Sequence, residues 1–368
     1  SLPAAARRSR RVRHERVGLS SPSANPGASS AGGRPVTGRV RLAHGNGGRH
    51  MRELIEEVFA VAFGDQAPDT RSDAAALPGT QDDLMITTDG FTVQPLEFPG
   101  GDLGSLAVHG SVNDLAVAGA LPRWLTLAVV LEEGLELETL RRLTRSFAGA
   151  ARAAGVRVVA GDTKVVPRGH GGGAYFCVSA IGMRQRPGLA LEHVRPGDAV
   201  LVSGPVGDHG IAALLAREEF DLRGRDVRSD CACVLPLCRA LWPLTGLRFM
   251  RDPTRGGIAT VMHEIVHAAG LGVYLDETQV PVRDSVRSVC EMLGYDPYFL
   301  ACGGRVGAGI AADEAAAALA AVRMLPAGRD AAIIGRVQEQ PQRLILRTPL
   351  GGERVIEELE DDPLPRIC

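Results

Sequence analysis

Lysine is almost missing from this sequence: of its 41 basic residues only Lys164 is a lysine, and arginine supplies the rest. Aromatic residues are scarce too, at 4%, and no apolar run approaches the roughly 18 residues that a membrane-crossing helix needs. There is no GxxxxGK[ST] phosphate loop, so ATP, if it binds, binds by another architecture. A formal charge of −2 gives no overall positive field for nucleic acid, and no RNA- or DNA-reading motif is present. The seven cysteines, Cys177, Cys231, Cys233, Cys238, Cys290, Cys302 and Cys368, are too few and too scattered for a disulfide scaffold and fit a reducing cytoplasm. Three of them crowd together in SDCACVLPLC, but no second pair at zinc-ribbon spacing accompanies them. Buried thiols on an apolar segment are therefore expected there.

What the sequence holds is the balance of a globular protein, 45% hydrophobic and 23% charged over 368 residues, which is enough for two domains with cores of their own. Residues 1–41 carry nine arginines against a single acid, Glu15, amid Ser, Pro, Gly and Ala, and are expected to be a disordered extension outside the fold. After it, a helical period in RHMRELIEEVFAVAF precedes a strand in LMITTD and a long small-residue helix through LGSLAVHGSVNDLAVAGA. The strand WLTLAVVL, a helix around ETLRRLTRSFAGAARAAG and the strands VRVVAGD and AYFCVSAIG complete a mixed α/β domain over 42–190. HVRPGD marks a boundary turn, and strands and helices then alternate through a second α/β domain, 191–350. From Gly351 the acidic, proline-bearing GGERVIEELEDDPLPRIC offers no face to bury, so 351–368 is expected to be a mobile tail ending in Cys368.

Four aspartates stand where strands and turns end: Asp73, Asp89, Asp114 and Asp252. Each alone is explained as a helix or turn cap; together, they can converge on a hard cation such as Mg²⁺ that bridges nucleotide phosphates. Glycine-rich pieces supply backbone N–H groups that approach anionic oxygens without a Cβ in the way. HGNGG (His44, Gly45, Asn46, Gly47, Gly48) opens onto a helix, as does TRGG (Thr254, Arg255, Gly256, Gly257), and GPVGDHG stands at a strand-to-helix junction. Lys164, in GDTKVV, stands alone against 40 arginines. A compact ammonium whose pKa burial can lower does what a guanidinium does not, and Asp162 is its natural partner. HEIVH at 263–267 has the zinc-protease spacing, but no third ligand follows it, so a packed helix is the expectation. At the other end, Pro363 and Pro365 stiffen the chain ahead of Cys368.

Taken together, HGNGG, TTDG with FPGGDLG, SVNDLAVAGA, GDTKVV, SGPVGDHG, RDPTRGG and the terminal PRIC resemble the HypE family of hydrogenase maturation proteins, over residues 42–368. The wider superfamily is that of aminoimidazole ribonucleotide synthetase and selenophosphate synthetase. The resemblance implies a two-domain PurM-like α/β (α+β) fold, with N-terminal ATP-binding domains pairing their sheets into a β-barrel across a homodimer. It implies ATP and Mg²⁺ as cofactors, and an ATP-dependent dehydration of a carbamoyl group on Cys368 to a thiocyanate. The carbamoyltransferase HypF is then the partner that loads the thiol, and a HypC–HypD complex the partner that receives cyanide. Asp73, Asp89, Asp114 and Asp252 are assigned to Mg²⁺ and phosphate, with Asn113 beside them as a nucleotide contact. Lys164, paired to Asp162, is assigned to the transferring phosphoryl group, and Asp114 doubles as a candidate base. One departure stands out: where the family pattern reads Asn-Glu-Gly-Lys, this chain has Cys302, Gly303, Gly304 and Arg305, without the glutamate. Two other readings stay open: a synthetase of the same superfamily acting on a small metabolite, and a non-catalytic thiol carrier.

Overall fold

A helical period after Gly48 builds α1 (Arg49–Leu54), which widens into π-helical turns (Ile55–Ala60) and closes as α2 (Val61–Phe63). The alternation in LMITTDGF turns successive side chains to opposite faces and makes β2 (Leu84–Phe91), with the short β1 (Ala75–Ala76) antiparallel to it. A ribbon of β3 (Glu97–Phe98) and β4 (Gly101–Asp102) leads into α3 (Leu103–Val117). Asp102 caps that helix reciprocally: its carboxylate accepts the Ser105 N–H at 2.9 Å, and the Ser105 hydroxyl accepts the Asp102 N–H at 3.1 Å. Then follow β5 (Ala120–Glu132), α4 (Leu137–Ala153), β6 (Arg157–Val166) and β7 (Ala174–Arg184), giving a five-stranded sheet of order β1-β2-β7-β5-β6 with β5 and β6 parallel. At Gly104, α3 and α4 approach so closely that a Cβ would stand 2.1 Å from the Leu143 carbonyl oxygen.

The second half alternates as expected: β8 (Ala199–Val202), α5 (Asp208–Ala216), α6 (Leu235–Leu241), β9 (Leu247–Arg251), α7 (Gly257–Ala269), β10 (Gly272–Asp276) and α8 (Asp284–Leu293). It continues through β11 (Gly307–Ile310), α9 (Ala315–Arg323), β12 (Ala332–Gln338), β13 (Leu344–Arg347) and β14 (Glu353–Val355). Its seven strands lie in the order β14-β13-β10-β12-β8-β11-β9, and β8 and β11 are buried at every position. Ala116 and Val117, at the end of α3, belong to the same apolar cluster as Leu201, Val234 and Met250, which seats this half of the molecule against that helix.

The chain is described here, as a computed structural model, over residues 48–63, 72–77, 83–217 and 227–360. The 1–41 extension, His44, Gly45, Asn46, Gly47 and Cys368 lie outside the described residues. Among the described residues, no helix is long and apolar enough to cross a membrane. One expectation is corrected. The segment from 351 is not a free tail at its start, because β14 pairs antiparallel with β13 and Ile356 is 2% exposed. Strand pairing and one buried apolar side chain outweigh the acidic composition through residue 360.

Candidate active site

The fold brings the four aspartates together. Asp89 shares the β2 face that buries Thr87 and Phe91, Asp114 lies near the end of α3, Asp73 just precedes β1, and Asp252 directly follows β9. All four line one cavity of about 410 Å³, together with Thr87, Thr88, Arg251, Thr254, Arg255 and Glu264. Burial first, and then the charges of Asp89, Asp252 and Asp73, push the Asp114 carboxyl well above its ordinary range. Asp252 is raised likewise by burial and by Asp73, and its Oδ2 is buried without a hydrogen-bond partner.

Thr87 and Arg251, which the sequence reading missed, hold this crowd of acids. The Thr87 hydroxyl donates to Asp114 Oδ2 at 2.8 Å. Arg251, 7% exposed, pairs with Asp73 through Nη1 and donates from Nε to Glu264 Oε2 at 2.8 Å. With Asp73 drawn to Arg251 and Asp114 to Thr87, no three His, Cys, Asp or Glu side chains among the described residues are gathered at metal-holding distance. The donor set nevertheless suits a hard cation: all are oxygens, they repel one another, and Asp252 offers an atom with nothing to bind. The signal for Thr87 was present in the sequence as an i, i+2 partner of Asp89; nothing local marked Arg251.

Other assigned residues fall differently. Thr254 and Arg255 face the cavity, on a turn that Gly256 and Gly257 make at φ +72° and +59° as α7 begins. A Cβ on Gly257 would stand 2.4 Å from the Tyr298 carbonyl oxygen, so the two glycines shape the loop rather than line the space. Gly48 is the N-cap of α1, whose Met51 lines the cavity. Asn113 does not reach it: 1% exposed, it donates to the Ala232 carbonyl at 3.1 Å and accepts from the Val234 N–H at 2.8 Å, pinning the 229–234 segment. Asp208 of GPVGDHG, 1% exposed, instead pairs with Arg283 at 2.9 Å.

Lys164 and Asp162 form an ion pair at 2.9 Å with side chains 69% and 61% exposed, on the edge strand β6. Asp89 and Gly161 lie in one row across β2, β7, β5 and β6, so three strand spacings of about 4.8 Å each separate the lysine's neighbourhood from the carboxylates. HEIVH lies on α7 with its acid and its histidines in different roles. Glu264 ties to Arg251 in the cavity, while the rings of His263 and His267 stack 6.2 Å apart. At the departure, the Gly303 N–H donates to Asp230 Oδ1 at 2.9 Å, and a Cβ at 303 would lie 2.9 Å from the Cys231 Cα. Asp230 also pairs with Arg305 at 3.3 Å, so its carboxylate is already engaged and does not replace the missing glutamate.

Known proteins share this architecture. Residues 71–184 match the AIR synthase related protein N-terminal domain and residues 195–346 the corresponding C-terminal domain. Carbamoyl dehydratase HypE of Rhodobacter capsulatus is 47% identical over 339 residues, covering 90% of this chain and 98% of that protein. A crystal structure of a HypE–HypF complex superposes with a TM-score of 0.77 at 40% identity, covering 83% of this chain and 99% of that one. A crystal structure of HypE in complex with ATP gives a TM-score of 0.74 at 41% identity, covering 89% and 99%. With 47% identity over 90% of the chain and both domain models matched, the chain belongs to the HypE family.

Proposed function

We propose that the chain is an ATP-dependent carbamoyl dehydratase that acts on a carbamoyl group carried by its own Cys368, in the cavity lined by Asp73, Asp89, Asp114 and Asp252. The observation that carries the reading is the convergence of these carboxylates, from four separate parts of the chain, on one space where Asp252 Oδ2 has no partner. HypE relatives are carbamoyl dehydratases, and one binds ATP in the crystal. Mg²⁺ held by these aspartates would neutralise phosphate charge when bound. Thr254 and Arg255, with the loop His44–Gly48, are the residues we assign to the nucleotide.

The chemistry asks little covalent work of the protein. The carbamoyl oxygen takes the γ-phosphoryl group of ATP, releasing ADP; phosphate then departs with that oxygen as the C≡N bond forms, and the two amide protons are lost. The residues have to hold the amide in line, exclude water and receive those protons. Asp114, which accepts the Thr87 hydroxyl, is the candidate base. No side chain stands at Gly303, so proton removal falls to the aspartates.

Lys164 enters through assembly. β6 is exposed along almost its whole length and carries Val158, Val159 and Val165 at 47%, 53% and 66% exposure, an open edge that a second copy would cover. A homodimer joined there places Lys164 and Asp162 at the seam, where the lysine meets the transferring phosphoryl group. The exposed apolar edge and the family's fold support this arrangement. HypF as the source of the carbamoyl group, a HypC–HypD complex as the cyanide acceptor and a cytoplasmic location complete the proposal.

The test is the mass of the C-terminal peptide after incubation with HypF, carbamoyl phosphate and Mg-ATP. A carbamoyl adduct that loses one water on adding ATP is expected, and Lys164→Ala should stop at the adduct. A terminal peptide that is never modified would favour a small-metabolite synthetase, and a stable adduct in the wild type a carrier.

A further inference from the structure

The chain just ahead of its last eight residues is tied down from two sides. Arg52 of α1 grips Glu358 at two points, Nη2 to Oε2 at 2.9 Å and Nη1 to Oε1. His267 of α7 places Nε2 3.3 Å from the same carboxylate. Arg49 donates its N–H to the Leu359 carbonyl at 3.2 Å and pairs with Glu360 at 2.8 Å. Burial would push the Glu358 carboxyl up, but hydrogen bonds from His267 and Arg52 overcome it and hold the group at about 2, so Glu358 is ionised near neutrality.

The position of this clamp matters more than its strength. Arg49 and Arg52 stand on the helix that directly follows HGNGG, and His267 lies one turn beyond Glu264, which ties to Arg251. Glu358 lines a second cavity, of about 320 Å³, which shares Met51, Arg251, Thr260 and Glu264 with the carboxylate cavity. Glu358 therefore sits beside the candidate active site.

We propose that Glu358 is the hinge post of the C-terminal arm, and that Arg52 and His267 are positioning residues that fix where the arm starts. This rests on the reading of Cys368 as the thiol that bears the carbamoyl group. Eight residues remain beyond Glu360, and at up to about 3.4 Å each they span about 27 Å, against about 60 Å for an arm free from Gly351. Release of 357–360 would lengthen the arm from eight residues to 12. Local thiol concentration at a fixed site then falls by about twofold if it follows chain length to the −3/2 power, or about threefold if it follows the accessible volume.

Two readouts test the hinge on the full-length protein. A nitroxide on Cys368 and another on Cys177, the exposed thiol of β7, report the position of the arm's end when diluted with unlabelled chain. In Glu358→Ala the distance distribution should broaden. Single-turnover phosphate release from the carbamoylated protein should fall about two- to threefold, with KM for ATP unchanged. The exchange Arg52→Glu with Glu358→Arg should restore both, which a merely structural lesion would not. If Glu358→Ala does not fold, Arg52→Gln, at a side chain 39% exposed, serves in its place. An unchanged distribution overturns the proposal whatever the chemistry. A broadened distribution in a protein whose wild type releases no phosphate upholds the hinge and overturns the dehydratase reading instead.

Discussion

At the scale of single residues the site is a set of charges held together against their preference. Asp114 and Asp252 are pushed up by burial and by each other's neighbours, so the folded protein without a cation binds protons that the unfolded chain releases. An acid raised on folding adds stability below its unfolded pKa of about 3.9, and that stability drains away as pH climbs through the raised value. In Mg²⁺-free buffer the wild type should accordingly lose melting temperature relative to Asp114→Asn as pH rises from 4 to 8, and Mg-ATP should reverse that loss. Asp114→Asn should raise melting at pH 8 without Mg²⁺ by about 1–2 °C, as expected for roughly 1 kcal/mol in a chain of this size, while abolishing dehydration. Calorimetry beside the peptide-mass assay checks both halves; a destabilised variant would contradict the account of a strained acid cluster. None of the four aspartates was marked singly in the sequence, where a cap explains each as well as a ligand does. Arg251, which holds Asp73 and Glu264, was not legible because Asp73 lies in the other half of the chain and no helical or strand period ties Arg251 to Glu264.

At the scale of elements, periodicity read the chain well wherever an element buries one face. α4 buries Leu143, Phe147 and Ala151, a clean i, i+4, i+8 stripe, and β2 alternates. It failed where a short strand depends on distant partners. β14 has three residues, all exposed; its pairing with β13 and the grip of Arg52 on Glu358, 306 residues away, were invisible in an acidic stretch that reads as tail. Small residues in α3 carried a signal of another kind. With a Cβ at 104 placed 2.1 Å from the Leu143 carbonyl oxygen, Gly104→Ala must push α3 away from α4. The cost should be about 1–3 kcal/mol, seen as a melting drop of about 1–4 °C, and α3 should carry Asp114 out of place, lowering turnover as well. A variant that melts as the wild type does would show that the two helices are not locked there.

At the scale of the whole molecule the two halves divide the labour: the first sheet and α3 bring Asp89 and Asp114, and the second half brings Arg251, Asp252 and the TRGG turn to meet them. Periodicity said nothing of that meeting, because convergence in space leaves no trace in local spacing; the expectation came from four aspartates standing where strands and turns end. The β6 edge stands open among the described strands with three exposed valines, and Val159→Asp should halve the mass in sedimentation if copies join along it. A mass unchanged by that substitution would place the contact elsewhere.

An edge strand carrying the sole lysine also makes a natural reporter. Acylating reagents that seek ε-amines can mark only one side chain per polypeptide, and Lys164 stands 69% exposed beside Asp162. Chains that remain solitary would be tagged quickly and joined chains slowly, so a brief pulse of such a reagent, read by mass, would census assembly in a crude extract without purification.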